Sequence, residues 1–268
     1  MAQRKTTRDI REMKVRGEKI ACLTAYDYLH ARVLDQAGID IVLVGDSLGM
    51  VFGGHDTTLP VTFEDMLHHT AAVSRGVRQA LVVADMPFLS YQADEKSAIE
   101  NCGRFLKAEI AQAVKVEGGS ESICRLVARL TEIGIPVMGH LGLTPQSVHA
   151  LGGFHPQGKT DADAKRIFES ARKIEEAGAF CVVLEAIPTL LAKKITKSLS
   201  IPTIGIGAGP DCDGQVLVTA DMLGLFEDFK PKFVRRYMEL GKEMRKAVTS
   251  YIGDVRKGRF PSDSESYH

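Results

Sequence analysis

IVLVGDSLGM, residues 41–50, runs four aliphatic residues into Gly45 and then into the polar pair Asp46 and Ser47. A strand buried on both faces reads as a continuous apolar run, as in a parallel sheet covered by helices, whereas a half-exposed strand alternates with period two. The stretch therefore predicts a buried strand with polar chemistry at its exit. The same pattern recurs downstream: ALVVADMP (80–87) ends in Asp85, AVKVEGG (113–119) carries Lys115 and Glu117, PVMGHLG (136–142) carries His140, and CVVLEAIP (181–188) ends in Glu185. Five strands that each deliver an ionisable group near the C-terminal end bring those groups together only if they lie parallel. A closed parallel barrel with its active site at the C-terminal mouth does this, so the expected architecture is a single (β/α)8 barrel of the α/β class.

Composition is consistent with that expectation. The chain has 268 residues, and barrels of about 250 residues form single domains. One barrel over 1–268 is expected, with an N-terminal helix within 1–18, a C-terminal helical extension, and a mobile tail over 259–268. Hydrophobic residues make up 44% of the chain, enough for a sizeable core, and no apolar run approaches the ~20 residues of a membrane-spanning helix. Lys plus Arg equals Asp plus Glu, 34 each, so no global field draws in nucleic acid or an anionic membrane. Five scattered cysteines, Cys22, Cys102, Cys124, Cys181 and Cys212, lack metal-site or redox spacing, which fits a reducing compartment. The first twenty residues are basic but hold Asp9, Glu12 and Glu18 and no apolar run, which argues against a secretion signal and for the cytoplasm.

Thr6 and Asp9 have capping-box spacing ahead of a short helix that could plug the barrel floor. Strand one is expected at 20–27 and the first helix at 28–37. Thr62 and Asp65 cap the helix after the loop 48–61. Later helices are expected to begin near Asp94, at Glu121, after Thr160, and with Pro188 at N1. PTIGIGAG (202–209) and residues 215–223 supply the last two strands, and an amphipathic helix is expected over 231–252. The helix-to-strand turns at 38–40, 76–79, 134–135 and 178–179 are terse. The segments after strands two, three and five are longer and carry Gly, His, Thr and Tyr, the usual mark of a binding end.

Asp46, Asp85, Glu117 and Glu185 would set four negative charges around one mouth, and like charges in a partly desolvated site need compensation. Lys115, two positions before Glu117 and on the same strand face, offers one positive charge. A divalent metal offers two, and an all-oxygen donor set points to Mg2+ rather than Zn2+. Helix capping or rim pairing would account for one such acid; it accounts poorly for a lysine and four acids on four strands. His68 and His69 sit in an amphipathic helix, where exposure or packing explains them. For His140 a structural hydrogen bond and a catalytic part are equally open. The glycines of IGIGAG could cradle a phosphate or answer packing needs. Tyr26, Asp27, Ser90 and Tyr91 lie near strand exits, to line the mouth or to pack.

In order along the chain, TAYDY (24–28), LVGDSLGM (43–50), GHDTTLPVT (54–62), VKVEGG (114–119), GHLGLTPQS (139–147) and IGIGAG followed by DGQ (204–215) closely resemble the ketopantoate hydroxymethyltransferase family. The resemblance implies a TIM barrel assembled into a homodecamer. It implies Mg2+-dependent transfer of a hydroxymethyl group from 5,10-methylenetetrahydrofolate to 3-methyl-2-oxobutanoate, giving ketopantoate for pantothenate synthesis. By matching position, it implies Asp46 and Asp85 as direct metal ligands, with Glu117 completing the shell. Asp46, Ser47, Asp85 and Lys115 would contact the keto acid, and Glu185 would accept the proton. His140 is a further candidate at the mouth.

Two other readings compete. A Mg2+-dependent carbon–carbon lyase of the phosphoenolpyruvate mutase and isocitrate lyase kind would share Asp85 and Glu117 but need no folate. Such lyases commonly use a cysteine-bearing loop, and Cys212 is the one cysteine placed by sequence in a mouth loop. The other reading is a non-catalytic metabolite-binding protein.

Overall fold

Alternation along the strands sorts the apolar residues into two shells. The computed structural model describes residues 4–227 and 230–268. Eight parallel strands close in sequence order: β1 (Ile20–Thr24), β2 (Ile41–Val44), β3 (Leu81–Asp85), β4 (Ala113–Glu117), β5 (Val137–Gly142), β6 (Cys181–Glu185), β7 (Thr203–Ile206) and β8 (Gly214–Leu217), with β8 against β1. The helices are α1 (Thr7–Val15), α2 (Tyr28–Gln36), α3 (Leu48–Val51), α4 (Phe63–Gly76), α5 (Glu95–Lys107), α6 (Glu121–Glu132), α7 (Asp161–Glu176), α8 (Thr189–Ser198), α9 (Thr219–Met222) and α10 (Leu240–Arg256). The chain divides into two compact units, one ending at Leu217 and one spanning Val218–His268.

In the barrel unit, Val42, Val82, Val114 and Val182 point out of the strands and pack with helix residues such as Met66, Phe105, Leu130 and Ile174. Their neighbours Ile41, Leu81, Ala113 and Cys181 point inward and form a separate cluster with Ile10 and Met13 of α1. Helix α1 thus closes the barrel floor. Its capping box is formed, with Thr6 N–H donating to Asp9 Oδ2 at 2.7 Å and Asp9 N–H to Thr6 Oγ1 at 3.3 Å. Lys14 Nζ ties it down by donating to the carbonyls of Thr196 (2.9 Å) and Ile201 (3.0 Å) and to Asp213 Oδ2 (2.9 Å). The Thr62 and Asp65 box likewise opens α4.

The structure departs from the expected element bounds in five places. Strand β1 ends at Thr24, three residues short of the expected end at 27. Within the loop 48–61, residues 48–51 form α3. Pro188 is the N-cap of α8, not its first turn, with an extended ψ of 135° and a carbonyl that accepts from Ala192 N–H. Strand β8 stops at Leu217, the end of its pairing with β1, and residues 219–222 turn into α9. The C-terminal helix begins at Leu240, nine residues later than expected. Upstream of it, Tyr237 N–H donates to the Met222 carbonyl, and Leu240 and Gly241 donate to Leu223 and Gly224. Those donors are committed to another segment, so a helical ladder cannot run through them.

Candidate active site

Strand β4 shows why the charged residues meet. Ala113, Lys115 and Glu117 share the inward parity, and the register sets Asp85 beside Lys115, Glu117 beside His140, and Gly142 beside Glu185. Strands β3 to β6 each contribute an apolar residue low in the barrel and at least one ionisable residue above it. Asp46 follows the end of β2, and its backbone N–H lies 3.4 Å from Asp85 Oδ2. Gly142 is held at φ +96°, and a Cβ there would lie 2.2 Å from the Glu185 carbonyl. Only glycine lets the β5 exit cross the end of β6, where Leu143 N–H donates to that carbonyl at 2.9 Å.

Asp46, Asp85, Lys115, Glu117 and His140 are all buried. Lys115 Nζ donates to both Asp85 oxygens at 2.6 Å and lies 3.7 Å from Glu117 Oε1. His140 bridges two acids, with Nδ1 at 3.4 Å from Glu117 Oε1 and Nε2 at 3.2 Å from Glu185 Oε2. Neither contact is aligned as a hydrogen bond, and Glu117 Oε1 and both ring nitrogens are buried without one. The Glu185 side chain keeps 16% of its surface exposed, against 3% or less for Asp85 and Glu117, so it is the acid most open to an incoming molecule. Ser47 Oγ shares a 2.9 Å hydrogen bond with the Tyr26 hydroxyl.

Burial is the largest influence on Asp46, Asp85, Lys115, Glu117 and His140 and disfavours charge. It lifts Asp46 well above the usual carboxylate range, reinforced by Asp85 and Glu117. Asp85 is raised by burial as well, against the pull of Lys115. Burial would raise Glu117 too, but His140, Lys115 and the Gln146 amide outweigh it and hold Glu117 low. For His140, burial and Lys115 push down while Glu117 and Glu185 prevail, raising it to about 9. Lys115 stays an ammonium: burial opposes its charge, and Asp85, Glu117 and Asp46 overcome that. Four acidic side chains therefore share this layer with the Lys115 ammonium and His140.

The remaining sequence candidates separate cleanly. Asp27 caps α2 by accepting from Leu29 and His30 N–H at 2.8 and 2.9 Å. Ser90 donates to the Pro87 carbonyl at 2.6 Å within its own turn. His68 is exposed, and His69 Nδ1 contacts the Tyr26 carbonyl at 2.6 Å. At Gly209 a Cβ would lie 2.4 Å from Thr189 Cγ2, which is a packing need. Cys212 is not at the mouth. It is buried near the floor, its carbonyl accepting from Lys19 Nζ at 2.6 Å, because the β7–β8 connection has already returned to the start of β8. The lyase reading thereby loses its cysteine loop.

Gln146 was not singled out by sequence, although it lies within GHLGLTPQS. A glutamine in a polar loop carries no periodicity or spacing signal. It rides on a 3-10 turn, Pro145–Ser147, and its side chain donates to Asp46 Oδ2 at 2.9 Å. Tyr91 joins it, its hydroxyl 2.9 Å from Gln146 Oε1. A cavity of about 890 Å³ meets the cluster at Tyr91, Glu117 and Gln146 and extends outward to Arg166 and Lys173. Asp46, Asp85, Lys115 and Glu185 do not line it.

Residues 4–263 match the family described as ketopantoate hydroxymethyltransferase. The chain belongs to that family. A relative from Syntrophus aciditrophicus strain SB, named 3-methyl-2-oxobutanoate hydroxymethyltransferase, is 60% identical over 98% of this chain and 96% of its own length. Among solved structures, a phosphonopyruvate hydrolase in complex with oxalate and Mg2+ matches 97% of this chain and 93% of its own at a TM-score of 0.63 and 14% identity. A 2,3-dimethylmalate lyase of the phosphoenolpyruvate mutase and isocitrate lyase superfamily covers 100% of this chain and 89% of its own at 0.63 and 16%. At those identities the likeness is one of fold. The family relationship favours the transferase over the lyase.

Among the described residues, no three His, Cys, Asp or Glu side chains form a ready-made cage for an ion. That is compatible with a cation taking few protein ligands, since Mg2+ typically accepts one or two carboxylates and fills its sphere with water and substrate oxygens. No described helix is long and apolar enough to cross a membrane.

Proposed function

We propose that this chain transfers a hydroxymethyl group from 5,10-methylenetetrahydrofolate to 3-methyl-2-oxobutanoate, forming 2-dehydropantoate (ketopantoate) in pantothenate and coenzyme A biosynthesis. The observation that carries the reading is the convergence of Asp46, Asp85, Lys115, Glu117 and Glu185 in one layer of a chain from this family.

The residues fit Mg2+. Glu117 Oε1 is buried with no hydrogen bond. Crowding by Asp85 and Glu117 adds to the burial that drives a proton towards Asp46, a cost that a divalent cation would relieve. Asp46 and Asp85 would hold the ion, with Glu117 beside it. When bound, Mg2+ supplies Lewis-acid stabilisation of the negative charge that develops on the keto acid's oxygens.

The protein groups do the rest. Lys115 would counter the substrate carboxylate, and Ser47 would offer a hydroxyl to it. Glu185, partly open and flanked by the His140 imidazolium, would take the proton from C3. The electrons of that C–H bond then form the new bond to the folate-borne methylene carbon as one of its two bonds to nitrogen breaks; the second carbon–nitrogen bond gives way to the bond from water oxygen, and the two freed nitrogens take up the proton lost from C3 and one from water. His140 Nε2 lies 3.2 Å from Glu185 Oε2. His140 is thereby assigned a part beside the base.

A cytoplasmic setting is supported by five free cysteines. Assembly into a homo-oligomer, a decamer by family resemblance, is supported by α10, which exposes Met244, Val248, Tyr251 and Val255.

Exchange of the C3 proton of 3-methyl-2-oxobutanoate into heavy water tests the reading without folate. Exchange should require the protein and Mg2+, and methylenetetrahydrofolate should then divert the substrate to ketopantoate. Lack of exchange with Mg2+ present would overturn the proposal.

A further inference from the structure

The Gln146 side chain is bonded on every valence. Nε2 donates to Asp46 Oδ2 at 2.9 Å and to the Met86 carbonyl at 2.8 Å, while Oε1 accepts from the Tyr91 hydroxyl at 2.9 Å and from Gln92 Nε2 at 3.0 Å. A primary amide has two N–H donors and two carbonyl lone pairs, so nothing is left over. The amide also has one orientation. Reversed, its oxygen would face the Asp46 carboxylate and the Met86 carbonyl, acceptor against acceptor. The backbone N–H of Gln146 adds a bond of 3.1 Å to Glu117 Oε2, and the Tyr91 hydroxyl accepts from Glu117 N–H at 3.0 Å. One buried residue thus holds an oxygen of each of two acids that arrive from different strands.

We propose that Gln146 is a positioning residue for the metal site: its side chain fixes Oδ2 of Asp46, its backbone fixes Oε2 of Glu117, and together they aim both acids at a shared cation. The inference rests on the function proposed above. Its structural counterpart is Glu117 Oε1, the oxygen that the clamp leaves buried and without a hydrogen bond. A buried amide needs partners in any setting, but a residue that merely filled space could be apolar, and the partners here include an oxygen of each of two site acids. Partners that orient metal-binding carboxylates typically carry about 10- to 100-fold in metal affinity or activity.

Calorimetric titration of the full-length, chelator-treated protein with MgCl2 tests this. Gln146→Met keeps the length of the side chain and removes its polar atoms. Mg2+ should bind about 10- to 100-fold more weakly, and C3 exchange should recover at saturating Mg2+, so that the effect lies in the apparent affinity for the ion and not in kcat. A general structural role would lower the melting temperature and leave Mg2+ affinity alone. A folded Gln146→Met with parental affinity overturns the inference while leaving the function standing. A parental protein that takes up no Mg2+ overturns the metal assignment and this inference with it. Should Gln146→Met fail to fold, Tyr91→Phe decides. It removes the hydroxyl shared by Gln146 and Glu117, a several-fold loss of Mg2+ affinity supports the clamp, and no loss overturns it.

Discussion

The lower and upper halves of the barrel interior are built on the same strands with the same alternation, yet they do opposite things. Below, Ile41, Leu81, Ala113, Met138 and Cys181 close on Ile10 and Met13 of α1 as an apolar plug. Above, two or four residues further along those strands, Asp85, Lys115, Glu117, His140 and Glu185 bring charge into a region nearly as buried. The floor gains stability from burial, at about 25 cal/mol per Å² of apolar surface. The mouth works against stability, since each buried charge pays for desolvation. The lesson is that one strand serves both ends, and parity alone cannot tell them apart; position along the strand does.

Three substitutions sharpen that contrast. The largest effect is expected for Glu185→Gln, which keeps shape but cannot accept a proton. C3 exchange should fall by about 10²- to 10⁴-fold, with keto-acid binding and melting temperature little changed. If exchange persists at the parental rate while hydroxymethyl transfer is lost, the base lies elsewhere in the mouth, and His140 is the next group to replace.

Met138→Ala is the matching change in the floor. It should cost about 2–5 kcal/mol of stability through lost contacts and a cavity, while the exchange rate per folded molecule stays near the parental value. Denaturant unfolding and exchange kinetics on the same preparation separate the two. A rate that fell in proportion to stability would break the division between floor and mouth.

Asp46→Asn is the smallest and joins both sides. Mg2+ affinity should drop by at least about tenfold, since a directly binding carboxylate is lost and even an orienting partner carries that much. Melting of the metal-free protein should meanwhile show it more stable by about 0.5–2 kcal/mol at neutral pH, in the range of a relieved functional site. The sign follows from Asp46 being raised in the folded state. Between the unfolded and the folded pKa the native chain binds the extra proton, so parental stability falls as pH rises through that window. The advantage of the variant should therefore vanish in acid, where Asp46 is protonated in both states. A metal-free variant no more stable than the parent at neutral pH would mean that Asp46 is not strained by its neighbours.

Much of the fold and most of the charged layer could be read from the chain. Continuous apolar runs located the strands, and Lys115 and Glu117, two apart on β4, had to share a face. Thr6 with Asp9 and Thr62 with Asp65 announced their helices because a capping box is a local interaction of four residues. The C-terminal helix was misread over 231–239 because its periodicity was sound but its backbone donors were claimed by residues 222–224. Cys212 was misplaced because a loop's length does not say how far it has returned towards the floor.

What the sequence by itself determined is therefore whatever depends on near neighbours: strand runs, caps, parity, and the ionisable residue at each strand exit. Family motifs added the identity of the chemistry. Only the tertiary structure decided that His140 stands between Glu117 and Glu185, that Lys115 spends both its close bonds on Asp85, and that Gln146 reaches Asp46, one hundred positions away in the chain. Those contacts join strands and loops far apart in sequence, and their strength comes from burial that exists only once the barrel has closed.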